Sequence, residues 1–357
     1  MTIYYVVYAL LGAMSLFCSY FIAKEQTSKK MFCFFAFFVL FIMLALRHHS
    51  MGVDLGYSTN LGYLGRFDFI SQISWSKIFD ISVLNYERGY IIFNKIVSVF
   101  SDDKQFFLTA CAAGSIAPIM YTIYKKSNSP FMSTIVYLGL PVFLLNYSGL
   151  RQALAIGLCT LSLTFVEEKK FYKFLLLVLL AMTFHKTAIV YLIVYPVYHI
   201  KLEKNLRWLS VVLIPIVYIF RYPLFAILSK IFKENAVATE NDSGMLFVVF
   251  TLIYIFCIFY SNNSNEQNGL LNLFLLACLC QAFGNVYQTA MRVGYYFMIA
   301  LILLLPIVIK DMDEKVDKPV FSIVIIISFV TFGLYCIYNS TWAMAYPYYF
   351  YWQGAVI

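Results

Sequence analysis

FYKFLLLVLLAMTFHKTAIVYLIVYPVYHI, residues 171–200, is an apolar run interrupted near its middle by His185 and Lys186. Its length allows two short helices that meet at a tip, or one long broken helix. In either form it belongs in lipid, and charged sequence bounds it on both sides: EEKK at 167–170 and KLEKNLR at 201–207. The rest of the chain has the same character. Hydrophobic residues make up 62% of the 357 residues and charged residues 12%, about half the charge of a soluble domain. So few charges cannot cover a water-facing surface. The 29 Tyr and 35 Phe suit helices in lipid with Tyr at the interfaces. The net charge of +8 is scattered without a basic run, which marks loop charge and excludes a nucleic-acid surface.

Outward from residues 171–200, hydropathy predicts an all-α integral membrane protein of about twelve transmembrane helices in a single polytopic domain, 1–357. The segments run near 2–23, 31–46, 104–124, 131–147, 151–166, 171–184, 186–200, 207–220, 245–260, 270–284, 293–309 and 319–338. The first is too long for a signal h-region and has no small-x-small cleavage site at its end, so it is expected to be a retained span. The short basic loops at 24–30, 125–126, 167–170 and 201–207 alternate onto one side, with 261–268 and 310–318. Cytoplasmic loops carry such charge. The opposite, outer side then holds a long loop at 47–103, the turn 148–151, the tip at 185, the loop 221–244, the turn 285–292 and the tail 339–357. Within the long loop, GYIIFNKIVSVF at 89–100 has apolar residues at helical spacing around Lys95, the pattern of an amphipathic interfacial helix. All eight cysteines fall in apolar stretches, and Cys278 and Cys280 point to different faces of a helix. Neither a disulfide framework nor a zinc site is indicated.

The ionisable residues single out one face. Arg47, His48, His49 and Asp54 follow the second span in RHHSMGVDLGY; Glu87 and Arg88 precede the interfacial helix; Arg151 and Gln152 open GLRQALA; His185 and Lys186 interrupt AMTFHKTA; Arg292 lies in TAMRVGYYF. Each alone has a bland reading, as a snorkelling anchor, a solvated pair or a packed histidine. Together, at the outer tips of different helices, they can converge on one basic cavity. An ionisable group inside a span costs about 2.5–3.5 kcal/mol on insertion scales, so it usually has a partner or a role. Guanidinium groups grip phosphate oxygens in pairs, and Asp54, Glu87 and His185 can supply acid or base groups. The outer-face segments have no DxD pair and the chain no Walker loop, which points to an anionic lipid-linked substrate rather than a nucleotide sugar.

In order and spacing, RHHSMGVD(x2)Y, E-R-G-Y, GLRQALA, FHKTA and R(x2)YY resemble the EpsG/Wzy polysaccharide polymerases over roughly residues 40–300. The resemblance implies a membrane glycosyltransferase of the bacterial inner membrane, multi-pass, its active site facing the periplasm. It implies a polymerase of O-antigen or capsule repeat units, moving a growing glycan from undecaprenyl pyrophosphate onto the next lipid-linked repeat unit. Its leaving group needs its charge neutralised, for which Arg47, Arg151 and Arg292 are the candidates, with Gln152 and Lys186 as further pyrophosphate-binding candidates. Its acceptor hydroxyl needs a base, for which His185 comes first and Asp54 and Glu87 next. Aromatic side chains of YPYYFYWQ (346–353) can stack on sugar rings or form an interfacial belt. No metal and no cofactor are expected. The expected partners are the lipid-linked oligosaccharide, membrane lipid and a chain-length regulator. An O-antigen ligase uses the same donor, and composition alone does not separate it. A lipid-linked sugar flippase would instead place charges near mid-membrane in paired broken helices.

Overall fold

The computed structural model of the chain describes residues 1–56, 62–80, 86–232, 244–284, 286–312 and 317–354. Parts of the predicted 47–103, 221–244, 285–292, 310–318 and 339–357 segments lie outside the described residues. Among those described, the regular structure is helical, and pairing of extended backbone is confined to one isolated bridge between Arg47 and Phe350.

The first half comprises α1 (Thr2–Phe21), α2 (Glu25–Ala45), α3 (Tyr63–Gln72), α4 (Arg88–Phe100), α5 (Lys104–Lys126), α6 (Pro130–Gly139), α7 (Leu150–Val166) and α8 (Phe171–Phe184). The second comprises α9 (Val194–Tyr198), α10 (Lys204–Ile219), α11 (Arg221–Phe232), α12 (Gly244–Tyr260), α13 (Asn265–Ala282), α14 (Gln288–Met298), α15 (Leu301–Lys310) and α16 (Asp317–Asn339). Among the described residues α1, α2, α5 and α16 are long and apolar enough to cross a membrane. The bent pairs α10–α11 (77°) and α14–α15 (41°) raise that number to six if each pair is one span. Most of the other predicted spans fall on shorter apolar helices.

Three boundaries differ from the sequence pattern for local reasons. The helix α2 starts at Glu25, ahead of the apolar run at 31, where Glu25 and Lys29 pair at 2.8 Å across one turn. The 131–147 segment breaks after α6, with extended backbone at Leu140 and a 3₁₀ turn from Pro141 to Asn146; proline cannot continue the α-helix it follows. Residues 221–232 form the helix α11 where a loop is predicted, and Arg221 donates to the Tyr218 carbonyl at 2.7 Å at the bend.

The ambiguous 171–200 run is two short elements meeting at a tip. His185 is extended (φ −153, ψ 116) and a 3₁₀ segment, Lys186–Ile193, leads into α9. The ring pairs Phe171–Tyr195 (5.0 Å) and Phe174–Tyr191 (6.3 Å) run in opposite senses along the two legs. That order requires an antiparallel hairpin with His185 at its turn.

Polarity decides which helices are inside. In α15 every residue from Leu301 to Ile309 is buried, and α6 is buried from Met132 to Gly139. A helix apolar on all sides belongs in a core. At the periphery α1, α10, α12 and α16 leave Leu16, Phe21, Leu209, Leu252 and Ile323 exposed, the surface that lipid requires. At the α6–α16 crossing a Cβ on Gly139 would stand 2.6 Å from the Phe329 carbonyl oxygen, and one on Gly333 2.9 Å from that of Leu138. Glycines allow this approach of two backbones.

The short charged loops gather at one end of the bundle. Gln26 donates to Tyr124 (2.9 Å), Lys126 pairs with Glu167 (2.6 Å), and Asn262 and Gln267 both donate to Asp311. Buried Arg207 donates to Asn268. The loops predicted to share a side therefore do meet one another.

Candidate functional site

Away from that end, the long 47–103 segment folds back onto the hairpin tip. It carries the 3₁₀ turn Val53–Leu55, α3, the 3₁₀ turn Trp75–Asp80 and α4. Its residues 57–61 and 81–85 are among those not described. The predicted amphipathic helix is α4, with Ile96, Val99 and Phe100 exposed. Lys95 is turned inward instead, its Nζ donating to the Ser71 carbonyl at 2.8 Å. Together with Asp68–Lys104 (2.8 Å) and the stacked Phe67–Phe107 pair (4.6 Å), this contact fixes α3 against α4 and α5.

A glycine sets the closest approach. A Cβ on Gly89 would meet Thr183 Oγ1 at 2.1 Å and the Thr183 carbonyl oxygen at 2.9 Å. With no Cβ there, the start of α4 lies directly on the end of α8. Glu87, at the N-cap of α4, then reaches across to two elements at once. One carboxylate oxygen accepts the Lys186 backbone N–H at 2.9 Å and the other accepts Arg151 Nη1 at 2.6 Å. Burial raises the Glu87 carboxyl, but the Lys186 N–H and the Arg151 guanidinium outweigh it and hold it below the ordinary carboxylate range. Glu87 is therefore an anionic bracket in this arrangement, not a poised acid.

Arg151 opens α7 as expected. Its guanidinium lies 4.1 Å from the Tyr86 ring centroid and 6.0 Å from that of Tyr63, and its Nε is 3.5 Å from the Tyr63 hydroxyl. A cation over a ring gains about 0.5–2 kcal/mol, more as water is excluded. Arg66, one turn after Tyr63 on α3, sits 4.2 Å from the same Tyr86 ring.

His185 caps the end of α8, and its Nδ1 lies 2.6 Å from Thr187 Oγ1. Thr187 Oγ1 in turn donates to the Tyr296 hydroxyl at 3.2 Å. A hydroxyl whose hydrogen goes to Tyr296 accepts from His185, so Nδ1 carries the proton and Nε2 keeps the lone pair. Burial, and next the Arg151 charge, lower the His185 pKa to about 4; Glu87 opposes this, while Arg292 and Lys186 add to it. The ring is neutral in the range where a base is needed.

Arg292 is exposed in the second turn of α14, which starts at Gln288, so it does not open its helix as the sequence suggests. Gln152 is buried and donates to the Arg292 carbonyl at 2.8 Å, tying α7 to α14. Lys186 is exposed at the tip. Asp54 is exposed as well. Its backbone N–H donates to Ser148 Oγ at 3.1 Å, and its charge acts on both Tyr63 and Tyr86. Gly52, at φ +123 with the Tyr147 carbonyl oxygen 2.1 Å from a hypothetical Cβ, permits that turn.

Arg47 occupies a different environment. It is 1% exposed, with Nη1 donating to the Leu44 carbonyl at 3.2 Å and its guanidinium 5.2 Å from the Tyr147 ring. The tail encloses it. His48 N–H donates to the Tyr349 carbonyl (2.8 Å), Tyr351 N–H to that of Leu46 (2.9 Å), and the Tyr348 hydroxyl to that of Met43 (2.7 Å). Phe350 and Trp352 stack at 4.6 Å. The aromatic tail is thus used in part to close the bundle over α2.

Sequence reasoning selected Glu87, Arg151, Gln152, His185, Lys186 and Arg292, and these meet around the hairpin tip. It missed Tyr63, Arg66, Tyr86, Thr187 and Tyr296. Tyrosines at helical spacing look like packing, and the only signal for Thr187 is its place two residues after His185. Among the described residues no group of three or more His, Cys, Asp or Glu is placed to hold a metal ion.

A model of the EpsG family matches residues 30–350. No curated protein and no solved structure matches the chain.

Proposed function

The chain belongs to the EpsG family, and from that premise we propose that it polymerises lipid-linked oligosaccharide repeat units. Its apolar helices and family make it a membrane protein with a polysaccharide-polymerase-like role. In the proposed reaction it transfers the growing glycan from undecaprenyl pyrophosphate to the next lipid-linked unit, on the periplasmic face of the inner membrane. The proposed topology has the twelve apolar segments in alternation, with the hairpin tip outside. The observation that carries this reading is the meeting of Arg151, Glu87, His185 and Arg292, drawn from four separated helices, at one hairpin tip.

His185 Nε2 takes the proton of the acceptor hydroxyl as its oxygen bonds to the anomeric carbon of the donor glycan. The bond from that carbon to the pyrophosphate oxygen breaks, and the lipid pyrophosphate leaves with the electron pair. Arg151, Lys186 and Arg292 face the charge that develops there. Glu87 positions Arg151 and the tip, and Gln152 positions α14. Asp54 is near enough to the Tyr63–Tyr86 pair to steer the acceptor. Arg47, sealed under the tail, is assigned a positioning role. No metal and no cofactor enter this scheme, so purified enzyme keeps its rate in excess EDTA; loss restored by Mg²⁺ would refute that.

The glycan pattern of cells lacking the gene tests the function. Loss of a polymerase leaves core plus one repeat unit. Loss of a ligase leaves bare core, and loss of a flippase leaves no surface repeat.

A further inference from the structure

We infer that Thr187 and Tyr296 are positioning residues for His185: the buried turn of α14 decides, through Thr187, which ring nitrogen can take a proton, and keeps it so through each turnover. The inference deepens the proposed function and rests on it for its effect on rate. Neither Glu87 oxygen is given to the imidazole, since one is held by the Lys186 amide and the other by Arg151. Among the described residues Thr187 Oγ1, 2.6 Å from Nδ1, is the ring's hydrogen-bond partner. Its own hydrogen goes on to the Tyr296 hydroxyl at 3.2 Å.

The far end of this chain is closed. Tyr296 is 0% exposed, and its ring lies 6.3 Å from that of Tyr191, which is equally buried. The helix α14 is fixed there from two sides. Gln152 of α7 donates to the Arg292 carbonyl, and a Cβ on Gly294 would stand 3.0 Å from Cys280 Cβ on α13. Arg292 and Tyr296 are four residues apart and share a face of α14, so one helix presents both an outer cation and the phenol that orients the base. When Nε2 takes the acceptor's proton, the imidazolium carries a hydrogen on each nitrogen. Loss of the Nδ1 hydrogen to Thr187 would require the Thr187 hydrogen to pass to Tyr296, whose hydroxyl already holds one and is sealed from solvent. The proton therefore leaves from Nε2, and the ring regains the tautomer with which it started.

Side-chain nitrogen NMR of the full chain in nanodiscs, with isotope-labelled histidine, reads the tautomer directly. The His185 signals are those absent from His185→Gln. At neutral pH the wild type should show a protonated Nδ1 and a bare Nε2. Tyr296→Phe removes the acceptor of the Thr187 hydrogen, which then turns to Nδ1. The two nitrogen signals should exchange character, and the rate should fall about 10²-fold or more, the scale of a lost general base. Adding Thr187→Val takes that donor away, so part of the Nδ1–H form and part of the rate should return. Thr187→Ser, which keeps the hydroxyl and loses the methyl, should match the wild type in both readouts. A wild type with its proton on Nε2 overturns the inference without any variant, and so does a Tyr296→Phe protein that keeps the wild-type spectrum. Spectra that change as expected while the rate holds support the inference and overturn His185 as the base.

Discussion

Glu87 joins Arg151 at 2.6 Å through one carboxylate oxygen while its other oxygen holds the Lys186 amide at 2.9 Å. The pair is largely enclosed, with side-chain exposures of 21% for Arg151 and 16% for Glu87. One carboxylate thus sets both the main cation of the site and the turn that presents His185.

Glu87→Gln keeps an oxygen for the Lys186 amide but loses the charge that orients Arg151. Its rate should fall about 10–150-fold, the range for one charged hydrogen bond. Glu87→Ala should also lower stability, toward the low end of the about 3–5 kcal/mol that breaking a buried pair costs. Polymerisation rate and thermal unfolding in detergent measure the two effects. Equal activity in Glu87→Gln and wild type would remove Glu87 from the site.

Arg151→Ala should abolish polymer while the protein still inserts and accumulates. Arg151→Lys should recover only part of the rate, because an ammonium lacks the planar fork and stacks less well on Tyr86. Immunoblotting alongside glycan banding separates loss of activity from loss of protein. Full activity in Arg151→Ala would reduce the residue to an anchor.

The pH profile reports on His185. Its pKa is lowered to about 4 by burial and then by Arg151, so the rate should stay level as pH falls past the usual imidazole range. It should drop only as pH passes through about 4, where the ring gains its proton and ceases to be a base. Removing a neighbouring positive charge, as in Arg292→Gln, should move this limb upward; removing the Glu87 charge should move it downward. His185→Gln should lose the limb and leave a slow enzyme, because a general base contributes about 10²–10⁴-fold. An unchanged limb in His185→Gln would pass the role to another group.

Gly89→Ala tests whether the close approach of α4 and α8 builds the site. The added Cβ meets Thr183 at 2.1 Å, and such overpacking costs about 1–3 kcal/mol. It should also pull Glu87 away from the tip and depress the rate. Thr183→Gly in the same chain removes the obstructing side chain and should restore part of both. No recovery of rate in the double variant, with stability restored, would show that the approach serves packing alone.

Much of this arrangement was legible in the sequence because charge is rare in lipid. His185 and Arg151 stand out against apolar neighbours, and Glu87 opens a helix of clear amphipathic period. The hairpin was not legible. The 171–200 run has the same composition whether it bends or continues, and long-range ring contacts such as Phe171–Tyr195 and Phe174–Tyr191 decide between them. Arg66 escaped notice because α3 is only weakly apolar, so a charge there draws no attention. Arg47 misled for the opposite reason. Its place after a span suggests an exposed tip, but the tail 300 residues later covers it, and no local pattern announces that pairing.

That pairing also sets an order in time. The Tyr348 hydroxyl meets the Met43 carbonyl across 305 residues of chain, and Tyr4 reaches Ala345 in the same way. At about 5–20 residues per second, a ribosome makes the tail about 15–60 seconds after the segment it covers. Throughout that interval Arg47 lacks its cover, and α1 and α2 lack their contacts with the 345–351 stretch. The seal over Arg47 therefore waits for the 348–351 stretch, and a ribosome stalled before Tyr348 would leave this arginine unsealed.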